Sequence, residues 1–162
     1  MNVVVRPLSQ RPAWVDRLAD WHYAEWGALY GPDWSRQAAH DELVEHAQRQ
    51  HWPNTLIADQ AGDLLGSVSL VEKDAPSLDH FGSSWLASLY VRPSARGRGV
   101  AKQLVQSLCR FAADEGLSRL WLFTPFHRDY YQRLGWNSVT QAEVYGQTVD
   151  VMSLQLGPET PR

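Results

Sequence analysis

The chain has 162 residues, of which 44% are hydrophobic and 20% charged, with a formal net charge of -3 at pH 7. This composition is typical of one folded domain with a sizeable core and excludes wholesale disorder. With 15 basic against 18 acidic residues, the chain has no broad basic surface for nucleic acid or an anionic membrane. The acidic balance favours cationic partners.

No apolar run approaches the roughly 20 residues that a membrane-spanning helix needs, and residues 3–5 are too short a run for a signal peptide. The single cysteine, Cys109, has no partner for an internal disulfide, which fits a reducing compartment. We therefore expect a cytoplasmic protein without a membrane partner. The histidines lack metal-site spacing, so we expect no metal. We also expect one domain over residues 1–156 and a frayed tail over residues 157–162.

The first half of the chain predicts a strand, two helices and a hairpin of two strands. These elements cover residues 3–8, 12–29, 36–47, 54–60 and 64–74. Gly31 and Pro32 end the first helix, and Ser35 is suited to cap the second. The order in this half is therefore βααββ.

The second half predicts a buried strand, a long helix, a second strand, a short helix and two final strands. These elements cover residues 85–91, 100–115, 119–124, 126–134, 136–144 and 147–156. The first three form a βαβ unit with a right-handed crossover. The whole chain thus predicts an α/β (α+β mixed) fold with a twisted, mostly antiparallel sheet of about seven strands flanked by helices, in the order βααββ-βαβ-αββ.

The turn before the long helix has the features of an anion-binding loop. Gly97 and Gly99 let main chain approach a phosphate closely, and the helix start supplies unpaired N–H groups and a favourable dipole. Arg96, Arg98 and Lys102 add positive charge. The loop lacks the ending of a Walker A motif and the third glycine of the Rossmann fingerprint. From these residues alone, a solvated arginine-rich turn is the alternative.

Two motifs resemble those of the GCN5-related N-acetyltransferases. Residues 91–101 read VRPSARGRGVA, which is similar to that family's Val-x-Pro turn followed by (Arg or Gln)-x-x-Gly-x-(Gly or Ala). Residues 130–136 read YYQRLGW, which is similar to its aromatic-Tyr-x-x-x-Gly-aromatic stretch. The order of elements agrees with the family over nearly the whole chain.

This resemblance implies acetyl-CoA as the donor, bound in a V-shaped split between the fourth and fifth strands. It implies that main chain of the fourth strand pairs with the pantetheine arm, that loop amides hold the pyrophosphate, and that the end of the fifth strand also contacts the pantetheine. The implied cofactor-binding residues are Leu89, Tyr90, Val91, Arg96, Gly97, Arg98, Gly99, Val100, Ala101, Lys102 and Thr124.

The resemblance also implies a general acid at Tyr131, which would protonate the leaving thiolate. A tyrosine, with a pKa of about 10, stays protonated at neutral pH; a purely packing role is the alternative, and Tyr130 takes the family's packing position. The general base is harder to assign because the family's usual carboxylate positions are not acidic here. Glu72 is our candidate, with Asp74 and Glu25 nearby. Two alternatives stay open: Glu72 is only a solvated residue at a strand end, or the amine is already neutral and needs no base.

In the family the acceptor enters beside the first two helices and the loop between the third and fourth strands. This region is rich in aromatic and acidic residues, which suit a cationic amine through cation–π contacts and ion pairs; core packing is the alternative. Our candidate substrate-binding residues are Glu25, Trp26, Tyr30 and Trp85.

The sequence therefore predicts an N-acetyltransferase that moves the acetyl group of acetyl-CoA to a primary amine of a small molecule or peptide by direct transfer in a ternary complex. A non-catalytic acyl-CoA-binding regulatory or interaction module on the same fold is the alternative. Nucleic-acid binding through Arg92, Arg96 and Arg98 is disfavoured by the net charge. The family's use of its last two strands in dimers makes a homodimer an open expectation.

Overall fold

The computed structural model describes residues 2–157, so the predicted tail from residue 158 onward lies outside the described residues. The strands are β1 Val4–Pro7, β2 Asn54–Gln60, β3 Asp63–Val71, β4 Trp85–Val91, β5 Arg119–Thr124, β6 Asn137–Val144 and β7 Gln147–Gln155. The helices are α1 Val15–Tyr30, α2 Arg36–Ala47, α3 Val100–Asp114 and α4 Arg128–Arg133. The predicted α/β fold and its order of elements are confirmed.

The seven strands form one sheet in the order β1-β2-β3-β4-β5-β7-β6. Every neighbouring pair is antiparallel except β4 and β5, which are parallel. Those two strands pair only at Trp85 and Trp121, so beyond this point they diverge. The split that the resemblance implied therefore lies at the centre of the sheet.

A β-bulge in β4 bends the strand at the split. Between Ser67 and Ser69, β3 advances by two residues while β4 advances by three, from Tyr90 to Ala87. The extra length is accommodated by Ser88, whose φ of 55° is left-handed. A bulge of this kind bends its strand and increases the local twist, which helps β4 to leave β5.

Gly66 lies on β3 against this bulge, and it admits no side chain. A Cβ at this position would lie 2.3 Å from the main-chain oxygen of Tyr90. We expect Gly66→Ala to lower the free energy of unfolding by about 1–3 kcal/mol, because backbone must shift. Urea unfolding measures this. Gly157→Ala is the control, because a Cβ there meets nothing within 4 Å, and its urea midpoint should equal that of the wild type. An unchanged urea midpoint for Gly66→Ala would show that a side chain is tolerated at Gly66.

Helices cover both faces of the sheet. Leu56 of β2 belongs to a core cluster with the apolar face of α3, whereas the next residue, Ile57, belongs to a cluster with α1 and α2. Because successive side chains of a strand point to opposite faces, α3 lies on one face and α1 and α2 on the other. Ser35 caps α2 as predicted, since its Oγ accepts a hydrogen bond from the Ala38 N–H at 3.0 Å.

Candidate active site

A cavity of about 380 Å³ lies at the split between β4 and β5. Its walls come from α1, β4, β5 and the segment that leads into α4. A second cavity of about 210 Å³ lies between α1, α2 and the turn that joins β6 to β7. We call the first the transfer cavity and the second the side cavity.

The loop before α3 presents a row of unpaired amides. Gly97 and Gly99 have left-handed φ angles of 77° and 79°, and a Cβ on either would meet nothing within 4 Å. The first helical hydrogen bond runs from the Gln103 N–H to the Gly99 carbonyl at 3.1 Å. Within the described part of the chain, the N–H groups of residues 97–102 therefore donate to no protein acceptor. Such a row fits a pyrophosphate.

The predicted cations of this loop have different surroundings. Arg96 is tied to the end of β4: its Nε donates to the Val91 carbonyl at 2.7 Å, and its guanidinium lies 5.6 Å from the centroid of the Tyr90 ring. Arg98 and Lys102 are exposed. Val100 is buried in the core, so only its main chain can face a ligand. Arg96 thus holds the loop against β4, while Arg98 and Lys102 supply open charge.

The predicted pantetheine contacts lie on the strand edges at the split. Residues 89–91 of β4 have no partner on the β5 side, because the pairing of these strands stops at Trp85. Their edge can accept an extended chain as a further strand. Thr124 is buried at the end of β5 and lines the transfer cavity. Its Oγ1 accepts a hydrogen bond from the His127 N–H at 3.0 Å, which leaves its own proton to donate.

Tyr131 stands in the wall of the transfer cavity. It is 7% exposed, and its ring contacts Tyr130 and Trp136 edge-on at centroid distances of 5.3 and 6.1 Å. Burial raises the pKa of its hydroxyl, and the neighbouring Tyr130 raises it further. No hydrogen bond joins this hydroxyl to another residue between 2 and 157. A protonated, unengaged hydroxyl in the cavity is what a general acid requires.

The carboxylates that line the transfer cavity are Glu25 and Asp74, which corrects our expectation for Glu72. β3 ends at Val71, so Glu72 leaves the sheet as an exposed residue that lines neither cavity. Asp74 lines both cavities. Burial raises the pKa of the Asp74 carboxyl to about 7, and the neighbouring charge of Glu42 adds to this effect.

Comparisons with known proteins agree with this geometry. A sequence profile described as the acetyltransferase (GNAT) family matches residues 15–136. The chain belongs to this family. It is therefore an N-acetyltransferase whose acetyl donor is acetyl-CoA. No curated protein matches the chain significantly.

Solved structures share the GNAT fold over nearly the whole chain. An aminoglycoside 6′-N-acetyltransferase complexed with coenzyme A has a TM-score of 0.73 at 16% identity, covering 98% of this chain and 99% of that chain. An aminoglycoside 6′-acetyltransferase type Ii has a TM-score of 0.72 at 18% identity, with 97% and 99% coverage. The Salmonella typhimurium protein yncA with its cofactor acetyl-CoA has a TM-score of 0.70 at 16% identity, with 100% and 98% coverage.

Three of the four predicted substrate contacts of this GNAT protein line the transfer cavity: Glu25, Trp26 and Tyr30. The fourth, Trp85, does not, which corrects that expectation. Its side chain is fully buried, its Nε1 donates to the Gly82 carbonyl at 2.9 Å, and its ring packs 6.1 Å from that of Trp121. The segment between β3 and β4 folds back over this end of β4 and covers the indole.

Sequence reasoning missed the contribution of the β6–β7 turn to the GNAT protein's side cavity. Tyr145, in the turn between β6 and β7, reaches α1, where its ring lies edge-on to Tyr30 at 4.8 Å. The turn itself was predictable from Tyr145-Gly146, but not the element that it contacts. The sequence placed His22 and Trp34 in the acceptor region, whereas the further charged lining residues Asp33 and Glu42 were not proposed from it.

The described residues of the GNAT protein contain neither a metal-binding cluster nor a membrane-spanning helix. Between residues 2 and 157, no group of three or more His, Cys, Asp or Glu residues could hold a metal ion. None of the helices in that part of the chain combines the length and apolar character needed to cross a bilayer.

Proposed function

We propose that this protein transfers the acetyl group of acetyl-CoA to a primary amine of a small molecule or peptide, directly and within a ternary complex. The observation that carries the proposal is one cavity at the β4–β5 split with Tyr131 in one wall and Asp74 in another. The amine nitrogen bonds to the acetyl carbon as the carbon–sulfur bond breaks. Asp74 accepts the amine proton, directly or through water, and Tyr131 donates its proton to the leaving thiolate.

The donor would lie along the edge of β4, with its pyrophosphate at the amides of residues 97–102. Arg98 and Lys102 would add charge there, and Leu89, Tyr90 and Val91 would pair their main chain with the pantetheine. Thr124 would donate a hydrogen bond from the β5 side. The unpaired amides and the open β4 edge support this arrangement, because they leave hydrogen-bonding groups that a folded protein usually satisfies.

The lone cysteine supports direct transfer over an acyl-cysteine route. Cys109 lies on α3 and lines neither the transfer cavity nor the side cavity. Burial raises the pKa of its thiol to about 11, and the thiolate is the form that attacks an acyl group. Donor and acceptor must then be bound together, so initial-velocity plots should intersect; parallel lines would contradict the proposal.

Asp74→Asn should abolish the pH dependence that a base with a raised pKa creates. Only the ionised carboxylate accepts a proton, so we expect wild-type kcat/KM to fall as pH drops below about 7. The variant should lose about 10²-fold or more in kcat and keep only the pH dependence of the amine itself. Profiles from pH 5.5 to 8.5 measure this. An Asp74→Asn profile that parallels the wild type would exclude Asp74 as the base.

Stability gives a separate check on Asp74. The folded carboxyl keeps its proton up to about pH 7, whereas the ordinary value is 3.8. Between these values the folded state binds more protons than the unfolded state, so this residue lowers wild-type stability as pH rises from about 4 to 7. Asp74→Asn should therefore gain stability relative to wild type across that window and hold the gain above it. Chemical unfolding at pH 4, 5, 6, 7 and 8 tests this; a constant difference would contradict it.

The function as a whole is tested with purified protein, acetyl-CoA and a panel of amines. Calorimetry with acetyl-CoA, dephospho-CoA and adenine nucleotides reports donor binding, while thiol release and product mass report transfer. The panel includes aminoglycosides, peptides and aliphatic amines. Aminoglycosides are chosen because two proteins that share the fold are aminoglycoside acetyltransferases. Saturable donor binding without transfer to any of these amines would contradict the proposed acceptor class.

A further inference from the structure

The side cavity opens from the transfer cavity rather than standing apart from it. Both are lined by Trp26, Tyr30, Asp74, Ala87 and Ser88. A molecule with its reacting amine in the transfer cavity can therefore extend past Asp74 into the side cavity. At about 210 Å³, this space suits one end of a small molecule.

Aromatic rings form much of the side-cavity wall. The Tyr30 ring lies edge-on to Trp34 at 5.3 Å and to Tyr145 at 4.8 Å. Trp26 contributes a further ring, which contacts His22 at 5.2 Å. The helices α1 and α2, the turn between them, the segment after β3, strand β4 and the β6–β7 turn converge here. Ring faces attract an ammonium group, most strongly when it is desolvated.

The charges around these rings are mostly negative. Asp33, Glu42 and Asp74 line the side cavity, and Lys73 is the only basic residue among its described lining groups that carries a fixed charge. The Nζ of Lys73 lies 3.7 Å from the Oδ2 of Asp79. His22, which also lines the side cavity, is neutral at pH 7 because burial lowers its pKa to about 4. Its Nε2 lies within hydrogen-bond distance of the Ser67 Oγ, at 2.9 Å.

Asp74 itself has no cationic partner among residues 2–157. No hydrogen bond or ion pair joins its carboxylate to another residue within the described range 2–157. Asp74 is half-buried, and carboxylates shielded from water are normally paired. Acids beside aromatic faces, without a protein cation to neutralise them, are suited to a cationic group that arrives with a ligand.

We propose that the side cavity binds a second, non-reacting ammonium group of the acceptor, so that the preferred acceptor is a diamine. This inference rests on the proposed function, since the first amine is the one acetylated. Glu42 and Asp33 pair with the second ammonium at the rim, and the rings of Tyr30, Trp34 and Tyr145 enclose it. A monoamine of the same skeleton leaves these acids unpaired and binds more weakly.

Paired acceptors test the proposal. Butane-1,4-diamine is compared with butylamine, and an aminoglycoside with the monoamine 6-amino-6-deoxyglucose, by kcat/KM and by calorimetric binding to the CoA-bound protein. We expect at least a tenfold preference for the diamine of one pair. The pair that shows it distinguishes a flexible aliphatic acceptor from an amino sugar. Equal values within both pairs would overturn the proposal.

The variants Glu42→Gln and Glu45→Gln assign the preference to the side cavity. Both remove one negative charge from α2, but Glu45 lines neither cavity. The preference should fall at least fivefold in Glu42→Gln and persist in Glu45→Gln; persistence in both would overturn the proposal. If no amine is acetylated, the proposed function has failed. The difference in calorimetric affinity between diamine and monoamine then still tests whether the side cavity binds a second ammonium group. Transfer to monoamines and diamines alike leaves that function standing and refutes only the diamine inference.

Discussion

Tyr131→Phe is expected to lower kcat by about 10²- to 10³-fold, since general acid catalysis contributes on that order, while the affinity for acetyl-CoA stays within about twofold. The variant removes only the hydroxyl, and that hydroxyl makes no hydrogen bond to another described residue. Folding and donor binding should therefore be preserved. Steady-state kinetics with a saturating amine measures kcat, and calorimetry measures the affinity.

Tyr130→Phe is the matched control. Tyr130 is the preceding residue on α4, it contacts the Tyr131 ring, and it does not line the transfer cavity. Losing its hydroxyl should change kcat by less than about threefold, because it takes no part in protonating the thiolate. Full activity in Tyr131→Phe would exclude Tyr131 as the acid. A comparable loss in both variants would point to packing of α4 instead.

The secondary structure and the loop before α3 were predictable because their signals are local. The apolar spacing of α3, the β-prone run of β4 and the two loop glycines each depend on residues within one element. The left-handed angles of Gly97 and Gly99 follow from the same segment. The two glycines at the start of α3 indicate where an anion can bind, and this inference needs no long-range contact.

The general base and the acceptor contacts depend on features that local patterns do not carry. Glu72 and Asp74 are two residues apart, so strand alternation places them on the same face. The structure separates them because β3 ends at Val71. Trp85 and Ala87 also share a face of β4, yet the segment before β4 covers Trp85 and leaves Ala87 in the cavity wall.

Tyr145 is a still clearer case of a long-range effect. The β6–β7 turn is far from α1 in the sequence, and only the sheet order β5-β7-β6 brings its tip to Tyr30. A crossover of this kind is invisible in hydrophobic periodicity. The part of the side cavity that Tyr145 forms therefore emerged only from the assembled fold.

The charges of the site are separated along its length. Arg98 and Lys102 are open beside the loop amides at one end, whereas Asp33, Glu42 and Asp74 gather at the other. An anionic donor and a cationic acceptor are then each attracted to their own end. Raising the ionic strength should weaken both interactions by screening the more exposed charges.

Gly99→Val is expected to weaken acetyl-CoA binding by at least about tenfold, or about 1.4 kcal/mol. The φ of Gly99 is 79°, and a Cβ there would enter open space at the start of α3. Valine in this left-handed conformation is strained by about 1–2 kcal/mol. The loop would relax toward a negative φ, and the amides of residues 97–102 would no longer converge on one anion. Calorimetric titration with acetyl-CoA measures the loss.

Gly62→Val separates this effect from a general loss of stability. Gly62 has a φ of 84° in the turn between β2 and β3, and a Cβ there also meets nothing within 4 Å. Both variants should therefore unfold at a similarly lowered urea concentration, because the backbone strain is alike. Only Gly99→Val should lose donor affinity. Equal affinities in the two variants would mean that the glycine conformation is not needed for the donor, and the pyrophosphate would then have to bind elsewhere than at these amides.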